Sequence, residues 1–185
     1  MAALVIPTGY YVLGLSPRQA LAILIPIALA MLLIDISRLR QWAFWRNFAS
    51  RIGGQMVRGH EQLGDFTGAT YILISVCMTI AMYSKPVAIA AIAFIIVGDT
   101  FAALVGRKFG RHRFGRKSVE GSVACLVGTA LVAVLAPGLT LTVALVGATV
   151  ATITEAVSLK VDDNISVPIV SGLAMTLLQR ILESS

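Results

Sequence analysis

The chain reads as a succession of long apolar stretches separated by short polar loops. Apolar runs of roughly 17 to 22 residues cover about 20–36, 67–83, 87–106, 119–136, 139–157 and 165–182, and each is close to the length that a helix needs to cross a bilayer core. A weaker run covers 2–15. It lacks the basic start and clear small-residue cleavage site of a signal peptide and is read as a short or truncated span. The pattern predicts an all-α fold, a polytopic transmembrane helical bundle of six to seven spans. Residues 1–185 then form a single membrane-embedded domain, because the loops leave no chain for a soluble one.

Composition supports a lipid solvent for this surface. The 185 residues are 57% hydrophobic and 13% charged, too few charges to coat a water-soluble domain of this size. Cys77 and Cys125 fall inside predicted spans without metal or disulfide spacing, so they are read as small apolar packers. The net charge of +6 taken alone would point to nucleic acid or anionic lipid. Its distribution says more: of the fifteen Lys and Arg, only Arg18, Lys85 and Arg180 lie outside the loops on one side of the predicted spans. Basic loops stay in the cytoplasm, so the three long loops are expected there and no nucleic-acid partner is expected.

The acids follow the bases. Asp35, Glu61, Asp65, Asp99, Glu120, Glu155, Asp162 and Asp163 all lie in these loops or at their membrane ends, leaving only Glu183. Topology does not require this, because acidic residues contribute little to orientation. Salt bridges to nearby Arg and Lys are one explanation. A site that binds a metal together with a polyanion is the sharper one, and the one favoured here.

The most informative stretch runs from Gly98 to Ser122. Asp99 is a charge inside a predicted span, where charges are costly and usually functional. Asp99, Ala102, Gly106 and Gly110 recur at helical spacing as one stripe, either a small-residue packing seam or, the reading preferred here, a surface that a ligand approaches closely. Arg107 and Lys108 are flanked by Gly106 and Gly110, which is unlike the interior of an apolar span. Downstream, Lys117 precedes Ser118, an expected N-cap with Glu120 in the following first turn. Helix N-termini suit phosphate, and three such starts, near Thr67, Ser118 and Asn164, fall on the same side as the bases and acids. Lys117 is expected to add a loop-borne point charge with no packing role. Hard oxygen ligands, cations and helix dipoles together form the inventory of phosphoryl transfer, and membrane depth makes a lipid headgroup the natural acceptor. His60 and His112 are read as solvated loop residues. Trp42 and Trp45 beside Arg40 and Arg46 are read as an interfacial anchor.

These residues resemble the CTP-dependent polyprenol/dolichol, phytol and diacylglycerol kinase family. Asp99, Ala102, Gly106, Gly110, Lys117, Ser118, Glu120 and Gly121 follow its signature in order. Arg58, Glu61 and Thr67-Gly68-Ala69-Thr70 are similar to a second block, and Glu155 with Asp162-Asp163-Asn164 and Pro168 to a third. The resemblance implies CTP as phosphate donor. On this reading Asp99, Glu120 and Asp163 are candidates for Mg2+, while Gly106, Arg107, Lys108, Gly110, Lys117, Ser118 and Gly121 would hold phosphates. Asp99 or Glu155 would accept the proton of the lipid hydroxyl. Arg58, Glu61, Thr67, Asp162 and Asn164 are further candidates. The expected activity is transfer of the terminal phosphate of a nucleotide to a polyprenol, phytol or diacylglycerol. The competing expectations are phosphatidate cytidylyltransferase-like synthesis of a CDP-lipid and a non-enzymatic anion or lipid transporter.

Overall fold

A computed structural model describes residues 4–40, 66–115, 117–157 and 162–184. Among them the fold is all-α apart from one two-residue ladder. The helices are α1 (Val5–Val12), α2 (Pro17–Leu39), α3 (Gly68–Met82), α4 (Lys85–Phe109), α5 (Val119–Leu135), α6 (Leu141–Val157) and α7 (Asp163–Glu183). Strands β1 (Arg113–Phe114) and β2 (Lys117–Ser118) pair antiparallel between α4 and α5. Three helices, α2, α4 and α7, are long and apolar enough to cross a membrane, while α3, α5 and α6 are shorter apolar helices. The N-terminal run does not form a span over its described residues. Its helix has 8 residues, a rise of about 12 Å against a hydrocarbon core of about 30 Å. Arg58, Glu61, His60, Trp42 and Trp45 lie outside the described residues.

Helix boundaries follow local chemistry. Ser16 opens α2 with a capping box, its Oγ accepting from the Gln19 N–H while the Gln19 side chain accepts from the Ser16 N–H. Pro17 occupies the first turn, where its missing N–H costs no helical bond. Lys85, one of the few bases away from the basic loops, ties α1 down. Its Nζ donates to the Leu15 carbonyl at 2.8 Å and lies 4.8 Å from the Tyr10 ring centroid, a cation–π contact.

α4 is the central element, with Val87, Ala88, Ala91, Ile92 and Phe94 essentially inaccessible. Beside these large side chains, small and hydroxyl-bearing residues fill the helix contacts. A methyl on Gly98 would meet Cys125 Sγ at 2.9 Å, and one on Gly128 would meet the Phe101 ring at 3.0 Å, so α4 and α5 approach through these two glycines. Buried Thr79, Thr129, Thr152 and Ser171 return their hydroxyl protons to carbonyls one turn earlier, leaving no unmet donor on those side chains. The exterior is the reverse. Ile23, Ile27 and Leu33 on α2, Val123, Val127 and Leu131 on α5, and Leu173, Leu177 and Ile181 on α7 are exposed. Large apolar groups facing outward, with glycines where helices approach closely, are the arrangement expected of helices that pack in lipid.

α2 joins the bundle through one buried carboxylate. Asp35 is 1% exposed, and its Oδ2 accepts from the Thr67 N–H (2.8 Å), the Thr67 hydroxyl (2.9 Å) and the Thr70 hydroxyl (2.7 Å). Its Oδ1 lies 3.4 Å from Nε of the equally buried Arg38. The carboxylate therefore occupies the positive end of α3. Asp35→Asn weakens the charge-assisted hydrogen bonds that join α2 to the start of α3 and should destabilise the fold by about 1.5–3 kcal/mol. Thermal unfolding of Asp35→Asn beside the parent protein checks this, and an unchanged melting temperature would contradict it.

Candidate functional site

One end of the bundle, where α4 and α6 finish and α5 and α7 begin, holds a cavity of about 300 Å³. α4 contributes Asp99, Ala102, Ala103, Gly106 and Arg107; the β-hairpin contributes Arg113 and Lys117; α5 contributes Ser118, Gly121 and Ser122. Glu155 from α6 and Asp163 from α7 complete the lining. The hairpin turns at Gly115, whose φ of 64° lies in the left-handed region that glycine enters without strain. Register pairs Arg113 with Ser118 and Phe114 with Lys117, and the Val119 N–H donates to the His112 carbonyl at 3.0 Å. The basic segment, read from sequence as a loop, thus has a fixed backbone.

The lysine at its base is a packed residue. Lys117 Nζ donates to the Glu155 backbone carbonyl, to Glu155 Oε1 at 2.6 Å and to Asp163 Oδ2 at 3.3 Å. The side chains of Lys117 and Glu155 are 17% and 7% exposed. The expectation of a loop-borne cation with no structural role is therefore corrected. A carboxylate as buried as that of Glu155 requires a counter-charge, and Lys117 supplies it while linking α6 to α7.

Asp99, Glu155 and Asp163, distant in sequence, line the same cavity. Glu120, the remaining acid of the predicted metal set, does not. It turns outward, where its Oε1 lies 2.8 Å from His112 Nδ1 and both of its oxygens accept from the His112 N–H. His112 is a solvated loop residue, as expected, with its side chain 81% exposed, and it also pairs with Glu120. Among the described residues no group of three His, Cys, Asp or Glu is close enough to hold a metal ion.

The stripe of small residues divides. Asp99, Ala102 and Gly106 face the cavity, but the close approach at its end is made by the chain itself. A methyl on Gly106 would come within 3.1 Å of Ser118 Oγ, and one on Gly121 within 3.1 Å of the Ala102 carbonyl oxygen. Gly110 ends α4 against Ser118 and does not line the cavity. The packing seam, the alternative set aside from sequence, explains Gly110 and contributes at Gly106 and Gly121.

The helix starts are also occupied. Thr67 donates to Asp35, and Ser118 Oγ accepts from the Gly121 N–H at 3.1 Å. Asp162 accepts from the Asn164 N–H at 2.9 Å and from its side-chain amide at 2.7 Å. Thr67, Asp162 and Asn164 therefore act as partners within the chain and do not line the cavity, and neither does Lys108. Sequence reading missed three cavity residues, Ala103, Arg113 and Ser122. The Ser122 Oγ is inaccessible and has no hydrogen-bond partner among the described residues. Its i+4 spacing from Ser118 was the available signal, since that spacing places both hydroxyls on one helix face.

No known family's sequence model matches the chain, and no solved structure matches it. An uncharacterized protein of Rickettsia prowazekii is 27% identical over 192 residues, covering 98% of this chain and 92% of the relative. The CTP-dependent diacylglycerol kinase 1 of Saccharomyces cerevisiae is 28% identical over 193 residues, covering 89% of this chain and 66% of the kinase. The protein of the same name from Eremothecium gossypii is 30% identical over 100 residues, covering 52% of this chain and 31% of that kinase. The likeness is distant, and two of these three relatives carry the name of a CTP-dependent diacylglycerol kinase.

Lys117→Met removes the counter-ion of Glu155 and should destabilise the empty protein by about 3–5 kcal/mol. Adding Glu155→Gln to it should restore much of that loss, because the stranded charge disappears. Ligand-free melting of the single and double variants decides the point, and an unchanged melting temperature in Lys117→Met would return the lysine to a purely peripheral role.

Proposed function

We propose that the chain is a multi-pass membrane kinase that transfers the terminal phosphate of CTP to the hydroxyl of a lipid alcohol at the cytoplasmic face. The observation that carries this reading is the composition of one cavity. Arg107, Arg113 and Lys117 share it with Asp99, Glu155 and Asp163, at an end of the bundle where apolar helices meet a basic hairpin. Similarity to CTP-dependent diacylglycerol kinases supports CTP as donor and makes diacylglycerol the first acceptor to test. Polyprenol and phytol are the other lipid alcohols to compare.

In this mechanism Arg107 and Arg113 bind the phosphates, and Lys117 neutralises charge at the point where α6 and α7 meet. The lipid hydroxyl oxygen attacks the terminal phosphorus. The bond from that phosphorus to its bridging oxygen breaks, CDP leaves, and the hydroxyl proton passes to a carboxylate. Asp99 suits that role better than Glu155, because it is exposed on the cavity wall while Glu155 is held by Lys117. Such a reaction depends chiefly on positioning and charge stabilisation. Mg2+ fits the donor set as an ion carried with the phosphates, since it commonly binds through one or two carboxylates and keeps phosphate and water as its other ligands. Asp99 and Asp163 would hold it, and when bound it would neutralise charge on the transferring group.

The proposed topology uses α2 through α7 as six spans. α3, with 15 residues, rises about 22 Å, and α5 and α6, with 17 each, about 25 Å. These lengths fall short of an average hydrocarbon core and call for local thinning of the bilayer. In a background lacking Cys77 and Cys125, a cysteine at Arg111 should react with an impermeant thiol reagent only from the cytoplasmic side. One at Ser84 should react only from the opposite side. Labelling of position 111 from outside intact cells would overturn the orientation.

The test of activity is turnover of radiolabelled nucleotide by purified protein with diacylglycerol, polyprenol and phytol. The expected result is transfer of label from the terminal position of CTP into a phosphorylated lipid, with ATP a poorer donor. Retention of label from the innermost phosphate in a CDP-lipid would assign cytidylyl transfer instead, and no turnover with any acceptor would contradict the proposal.

A further inference from the structure

The cations near the cavity fall into two sets. Arg107, Arg113 and Lys117 line it. Lys108 and Arg111 do not, yet both are exposed and neither is in an ion pair among the described residues. The stretch from Arg107 to Lys117 contains no acid, and the nearest downstream, Glu120, is engaged by His112. Exposed cations of this kind, with no acid of the chain beside them, are open to anions from outside it.

Geometry indicates where they come from. Lys108 follows Asp99 by about two and a half helical turns, which puts it on the face of α4 opposite the cavity stripe. It lies one turn beyond Leu104 on that outer face, and Leu104 is 64% exposed. An apolar side chain with a lysine one turn further toward the helix end is the arrangement by which a lysine stem lies along lipid while its ammonium reaches the headgroups. Lys108 Nζ lies 5.3 Å from the Phe109 ring centroid. Phe109 and Phe114 are themselves exposed, at 58% and 40%, interleaved with Arg111 and Arg113. Aromatic rings among bases at the end of a helix apolar enough to cross a membrane are the composition of a bilayer interface.

We propose that the outer edge of the α4 end and the hairpin, formed by Lys108, Phe109, Arg111 and Phe114, docks anionic phospholipid headgroups of the surrounding bilayer. The rings lie at the level of the acyl boundary and the two cations bind headgroup phosphates. This surface is separate from the cavity and does not depend on the proposed kinase activity. By holding β1 at the interface, it would also fix the height of the cavity mouth relative to the headgroups.

The test uses a tryptophan reporter at the hairpin, Phe114→Trp, in full-length protein carrying Trp42→Phe and Trp45→Phe. It is reconstituted in phosphatidylcholine vesicles containing phosphatidylglycerol, with brominated chains placed on one lipid or the other. The expected result is that brominated phosphatidylglycerol, at equal mole fraction, quenches more strongly than brominated phosphatidylcholine. Lys108→Gln with Arg111→Gln should cut the preference by a factor of about thirty, and high salt should weaken it. Equal quenching by the two labelled lipids, or a preference untouched by the double substitution, would overturn the proposal. Should the reporter variant fail to insert, phospholipid retained through detergent purification supplies a second measurement on protein with its native aromatic residues. Phosphatidylglycerol should be enriched over the bulk membrane in the parent and lose that enrichment in Lys108→Gln/Arg111→Gln. Identical retained lipid in the two would likewise overturn it.

Discussion

The arrangement of this end of the molecule depends on the charge balance around Glu155. A carboxylate almost fully removed from solvent near the end of α6 is tolerable only with a cation in contact. That cation arrives on a two-residue strand from a different part of the chain. Meeting this requirement fixes much else. Lys117 must reach between α6 and α7, so the hairpin must fold back over the end of α4. α5 must then start against Gly106 and Gly110, where a methyl on Gly110 would collide with Ser118 and one on Gly106 would crowd it. The glycines, the N-cap serine and the lysine are thus parts of one steric and electrostatic solution. The cavity is the space that remains beside it.

A second constraint concerns the helix starts. Each offers unpaired N–H groups and positive potential, and each could attract phosphate. In this chain they are met internally: Asp35 serves α3, Ser118 serves α5 and Asp162 serves α7. On the proposed function, recognition of an anion in the cavity falls to formally charged side chains. Arg107 and Arg113 can present paired donors to a phosphate in a way that a lysine cannot. Lys117, already shared between two carboxylates, acts there as a point charge that lowers the repulsion among Asp99, Glu155 and Asp163.

Much of this was legible in the sequence because lipid imposes a simple rule. Apolar runs predicted α2 to α7 to within a few residues, and several residues of the small-residue pattern around Asp99 line the cavity. What could not be read was pairing. Glu120 and Asp163 carry the same charge and both sit in the first turn of a helix, yet one faces His112 and the other Lys117, a difference set by the hairpin register. Asp35 was visible as an acid, but its contacts with Thr67 and Thr70 join residues more than 30 positions apart, beyond any local spacing rule. Arg113 was one base among many in a loop until a glycine turn and two paired residues aimed it into the cavity.

The central claim is that the cations lining the cavity receive nucleotide phosphate and those on the outer edge do not. Ligand that binds only the folded state raises its melting temperature, so CTP-induced stabilisation reads that division directly. It can be compared in Arg107→Gln/Arg113→Gln and Lys108→Gln/Arg111→Gln, two variants that each remove two positive charges. The account predicts that the first loses most of the CTP-induced shift and the second keeps it. A shift lost equally from both, or lost only from the second, would contradict it.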